Sequence, residues 1–75
     1  MLITGRLDGA PAGIALALAV NGRVAAVARS YAYGGDVRFS ALIPESALRA
    51  GANAVEVYAV SAAAGALRLE RLGSP

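Results

Sequence analysis

The chain has 75 residues, a net charge of +2 and 57% hydrophobic residues, of which few are aromatic. At that length one domain is the ceiling. Cysteine and histidine are absent, which excludes thiol and histidine chemistry, disulfide staples and zinc sites built on those side chains.

The hydrophobic surplus is alanine, 19 of the 75 residues. Every cation is an arginine: Arg6, Arg23, Arg29, Arg38, Arg49, Arg68 and Arg71. They are spread along the chain rather than grouped on one segment, so nucleic acid is not an expected partner. The longest unbroken apolar run, Ile14 to Val20, is seven residues. A spanning helix needs about 18–20, so direct membrane insertion is not expected either.

In chain order, residues 2–7 alternate weakly, with Ile3, Gly5 and Leu7 on one face. Asp8-Gly9-Ala10-Pro11 reads as a turn. Residues 13–20 set Ile14, Leu16, Leu18 and Val20 on one face and Ala15, Ala17 and Ala19 on the other. Alanine favours helix. The run nevertheless ends in Asn21-Gly22, the pair that best fits the two positive-φ positions of a type I′ hairpin turn. The stretch is therefore read as a strand.

Residues 23–33 read as the returning arm. Val24, Ala26, Ala28, Ser30 and Ala32 share one face; Arg23, Ala25, Val27, Arg29, Tyr31 and Tyr33 share the other. Gly34-Gly35-Asp36 is the next turn. Val37, Phe39, Ala41 and Ile43 then face inward, and Phe39, the only phenylalanine, is expected at the centre of the core. Pro44 to Leu48 reads as one helical turn with Pro44 at its first position. Gly51 is suited to the left-handed conformation that closes it. Asn53 is suited to bonding its own loop backbone.

Residues 54–60 alternate cleanly, with Val55, Val57 and Ala59 opposed to Glu56, Tyr58 and Val60. Ser61 to Gly65 reads as a small, flexible loop. Residues 66–72 follow, with Leu67 and Leu69 expected inward and Arg68 and Glu70 outward. Turn signals about ten residues apart predict an all-β sandwich of six to seven antiparallel strands.

The segment Val20-Asn21-Gly22, then Phe39-Ser40-Ala41-Leu42-Ile43-Pro44, Leu48, Gly51-Ala52-Asn53 and Val55-Glu56-Val57-Tyr58-Ala59-Val60, resembles bacterial immunoglobulin-like β-sandwich modules. More narrowly, it is similar to the accessory region of membrane-anchored, sulfatase-like proteins of the alkaline phosphatase superfamily from high-GC bacteria. The resemblance covers roughly residues 3–72. It implies structural roles for Asn21 and Gly22 in a hairpin turn and for Gly51 and Asn53 in the loop between two strands. It also implies a larger parent and a place on the extracytoplasmic side of a bacterial membrane. A sulfatase's formylglycine motif has no counterpart here, so any such activity is expected in the parent and not in this domain.

Several constellations have to be weighed as sites. Glu56 and Glu70 sit on outward positions of the last two strands, but interleaved Arg68 and Arg71 favour an ion pair over a catalytic carboxylate pair. No phosphate-cradling or calcium-loop spacing occurs, so neither a metal nor a cofactor is expected. The most suggestive surface is Arg29, Tyr31 and Tyr33 with Arg38 and Tyr58, since Tyr and Arg are enriched at binding hot spots. The alternative is that these tyrosines only cover core edges.

The weakly apolar alanine face and lightly charged strand edges favour a cover. That cover is expected to be a neighbouring domain of the parent chain, or else a second copy in a homodimer. The expectation is thus one domain, residues 1–75, part of a larger protein. It acts as a non-catalytic accessory module by packing and positioning, with carbohydrate or cell-surface binding as the alternative.

Overall fold

A computed structural model describes residues 1–63 and 66–73. Seven strands and one 3-10 turn follow in order: β1 Leu2–Leu7, β2 Ala15–Val20, β3 Arg23–Arg29, β4 Tyr31–Tyr33, β5 Asp36–Leu42, the turn Glu45–Ala47, β6 Val55–Ala63 and β7 Ala66–Gly73. They form two antiparallel sheets, of order β1-β5-β4 and β3-β2-β6-β7. The molecule is a seven-stranded β-sandwich. Its strand order is the immunoglobulin one: β1, β5 and β4 stand where B, E and D stand, and β3, β2, β6 and β7 where C′, C, F and G stand. No strand takes the place of A among the described residues.

Period-2 alternation builds the core. Leu16, Leu18 and Val20 from β2, Val57 from β6, Phe39 and Ala41 from β5, Leu7 and Ile43 are all buried in one cluster. Each large side chain there contributes about 1.5–3 kcal/mol by leaving water. Phe39 lies at the centre, as expected. Gly5 stands directly opposite it in register. A Cβ at Gly5 would meet the Phe39 ring at 2.5 Å, so the missing side chain makes room for the ring.

The turns form as their residues dictate. Asn21 and Gly22 have φ of 52° and 85°, and Gly34 and Gly35 have 58° and 85°. Gly51 is also left-handed, at 87°. Asn53 Oδ1 accepts from the Arg49 amide at 2.9 Å, and Asn53 Nδ2 donates to the Arg49 carbonyl at 3.0 Å. Asn21 Nδ2 also donates to Asn53 Oδ1 at 2.9 Å, and the Ala54 amide donates to Asn21 Oδ1 at 3.0 Å. The two asparagines thus tie the β2–β3 turn to the entry of β6. Pro44 is the residue before the 3-10 turn, with an extended ψ of 142°, rather than its first member.

The arm at 23–33 is not one strand. It breaks at Ser30, and β3 and β4 belong to different sheets. Ser30 is buried. Its hydroxyl donates to the Pro11 carbonyl at 2.8 Å and accepts from the Ile14 amide at 3.0 Å. Its backbone bonds Ile14 and Gly13. These four bonds hold the chain where it crosses between layers.

Two bulges change faces. The β2–β3 register shifts after Leu18↔Ala26 to Ala19↔Val24, leaving Ala25 as the extra residue. Val24 is thereby turned to the outer face, 55% exposed, and parted from Ala26 and Ala28, with which alternation had grouped it. In β6–β7 the register passes from Val57↔Gly73 to Tyr58↔Arg71, so Leu72 is extra and packs against the core. Leu67 and Leu69 then face outward, 74% and 52% exposed. This reverses their expected direction, because a one-residue change of phase moves every side chain of a strand to its other face. β6 also runs on to Ala63 where a loop was expected; Ala64 and Gly65 lie outside the described residues.

Ala17 and Ala19 are buried rather than bare. In register Ala17 lies between Val27 and Tyr58, and Ala19 between Val24 and Glu56. The larger neighbours on each side shade the small methyls. Of the four edge strands, β4 is three residues long, and β3 and β7 carry bulges. β7 also carries Arg68, Glu70 and Arg71. These are devices that discourage edge pairing. β1 pairs with β5 over six residues with no register shift, and Arg6 is the one charge it carries.

Candidate functional site

Ser30 divides the residues singled out in the sequence. Tyr31, Tyr33 and Arg38 come together on the outer face of the β1-β5-β4 sheet. Arg29 and Tyr58 lie on the outer face of the other sheet. Arg29 donates to the Gly13 carbonyl at 2.6 Å, and the Tyr58 hydroxyl donates to Glu56 at 3.2 Å. Those two residues are not part of the tyrosine surface.

Strand register lays out the first surface in rows. Tyr31 stands opposite Arg38, and Arg38 opposite Arg6 on its other side. In the next row Thr4 faces Ser40. The Tyr31 hydroxyl and Ser40 Oγ are 3.0 Å apart. The Arg38 guanidinium lies 5.2 Å from the centre of the Tyr33 ring, a cation–π distance. Short Thr4 and Ser40 side chains beside long Arg6, Arg38 and Tyr31 leave an open depression of about 490 Å³, lined by Thr4, Gly5, Arg6, Tyr31 and Arg38. Arg6 was not singled out in the sequence. Only the β1–β5 pairing brings it beside Arg38, 32 residues away in the chain.

The second surface mixes exposed apolar side chains with charges. Val24 and Val27 on β3 and Leu67 and Leu69 on β7 are all more than half exposed on the outer face of the four-stranded sheet. Between them lie Ala17, Tyr58 and Val60. Glu56 and Arg71 form an ion pair at 3.2 Å on the same face. Glu70 stands opposite Ala59, whose other neighbour is the buried Leu16, so Glu56 and Glu70 point to opposite sides of the sheet. The ion-pair reading holds for Glu56; the two carboxylates are not neighbours.

Among the described residues no group of three or more acidic, cysteine or histidine side chains is placed to hold a metal, and no helix is long and apolar enough to cross a membrane. Compared with known proteins, the chain matches no family model, no curated protein and no solved structure.

Proposed function

We propose that this domain is a non-catalytic accessory module of a larger bacterial protein, working by packing against and positioning a neighbouring domain of the same chain. The observation that carries this reading is the group of exposed apolar side chains on the outer face of the β3-β2-β6-β7 sheet. Val27 at 78% and Leu67 at 74% exposure, with Val24 and Leu69, leave four large apolar side chains in water on this one face. The regular, lightly charged edge of β1 supports the same reading, since a covering neighbour reduces the need for edge protection. The sulfatase-like character of the parent rests on the resemblance over roughly residues 3–72 alone.

The test uses the absence of cysteine from these 75 residues, any cysteine elsewhere in the longer polypeptide being changed to serine. Val27→Cys and Leu67→Cys are placed in the full natural polypeptide and in the 75-residue chain, and maleimide labelling rates are compared. At least tenfold slower labelling in the longer polypeptide is expected. Equal rates, or a natural polypeptide consisting of these 75 residues only, would sink the proposal.

A second reading, carbohydrate or cell-surface binding, is favoured by Tyr31 and Arg38 lining one open depression, with the Tyr33 ring against Arg38.

A further inference from the structure

Arg6 and Arg38 stand directly opposite each other in the β1–β5 ladder. Like charges at such positions, with Cβ atoms about 5 Å apart, destabilise a sheet. The opposite sheet shows the ordinary solution, in which Arg71 is met by Glu56. Carboxylates do approach the arginine row, but from one end only. Asp8 lies 3.7 Å from Arg6 Nε and Asp36 lies 3.3 Å from an Arg38 terminal nitrogen, both pairs exposed to solvent. On the other side of the row the neighbours are the Thr4 and Ser40 hydroxyls. The depression is lined by both arginines with Thr4 and Tyr31, each guanidinium also being held by a carboxylate at the Asp8 and Asp36 end of the row.

We propose that this depression binds the carboxylate or sulfate group of an acidic polysaccharide. The proposal deepens the second functional reading by naming the chemical group recognised. The two guanidinium groups grip the oxyanion by charge-assisted hydrogen bonds. Thr4, Ser40 and Tyr31 exchange hydrogen bonds with the sugar hydroxyls. The exposed ring of Tyr33, held by Arg38 on one face, offers its other face to the C–H side of a sugar ring. An open, hydroxyl-lined depression suits a polar, extended chain better than a small apolar ligand, which needs enclosure.

The experiment titrates the 75-residue chain with oligogalacturonate and with its methyl-esterified, neutral counterpart, following backbone amides by NMR. Oligogalacturonate is expected to shift the amides of Thr4, Arg6, Arg38 and Ser40. Arg6→Gln and Arg38→Gln are each expected to weaken Kd at least tenfold while leaving the remaining amide spectrum dispersed. Arg23→Gln, at the distant hairpin, is expected to bind like the parent.

Equal binding of the esterified sugar would keep carbohydrate recognition and overturn the oxyanion assignment. An equal loss in Arg23→Gln would show mere charge attraction and overturn it too. So would absence of shifts with oligogalacturonate, or binding only to vesicles containing anionic lipid.

Discussion

The Ser30 hydroxyl donates and accepts at once in a position closed to water. At the crossing between layers the backbone leaves one ladder before joining the next, and its polar groups need partners there. Ser30→Ala removes the partner of the Ile14 amide and of the Pro11 carbonyl together. An unsatisfied buried group costs about 1–3 kcal/mol, so a loss of about 2 kcal/mol is expected. Urea denaturation checks it through a lower midpoint at an unchanged slope; a change below about 0.5 kcal/mol would mean water replaces the hydroxyl freely. In sequence Ser30 looks like one more alternating position of a strand. Nothing in local spacing distinguishes a serine that faces a core from one that ends a strand, because the distinguishing partners, Pro11 and Ile14, are distant in the chain.

At the scale of the element, β7 depends on which of its leucines reaches the core. Its even-numbered residues share one phase: Leu72 packs on the cluster, while Arg68 and Glu70 are exposed. Leu67 and Leu69 line the outer face instead. Leu72→Ala is therefore expected to cost about 1–2 kcal/mol, part of what a fully buried leucine would lose. Leu67→Gln and Leu69→Gln should each fall within about 0.5 kcal/mol of the parent. Thermal melts of the three variants order them, and a larger loss at Leu69 than at Leu72 would restore the opposite phase. Alternation made the strand legible here but not its direction, since either phase offered leucines to the core. The bulge that chose between them is a property of the pairing with β6. The same holds at Val24, where Ala25 bulges out of an alanine-rich run that carries no local mark of it.

For the whole molecule, stability resides in one thin apolar layer rather than in charge. Among the described residues the ion pairs Arg6–Asp8, Arg38–Asp36 and Arg71–Glu56 lie at the surface, two of them well exposed and the third partly shaded at Glu56. Exposed pairs contribute about 0–1 kcal/mol each, and 1 M salt shortens the screening length to about 3 Å. Raising NaCl from 0.1 to 1 M is thus expected to change the unfolding free energy by less than about 1 kcal/mol, measured as a shift in urea midpoint. A loss of several kcal/mol would move the source of stability from core to surface.

Much of this architecture was already written in the chain. The alternation of Leu16, Leu18 and Val20, the Asn-Gly and Gly-Gly turns, the lone phenylalanine and the Gly51–Asn53 loop are local features. Local sterics and period-2 burial act on them wherever the strand ends up, so sequence alone determined most of the strands, the tight turns and the class of sandwich. The tertiary structure decided which sheet each strand joins, which face each bulged strand presents, and which distant side chains meet. Arg29 parted from Tyr31 at the Ser30 crossing, and Arg6 met Arg38, through hydrogen-bonded pairing between segments far apart in sequence. Such pairing depends on the register of two strands at once, and no single strand's pattern contains it.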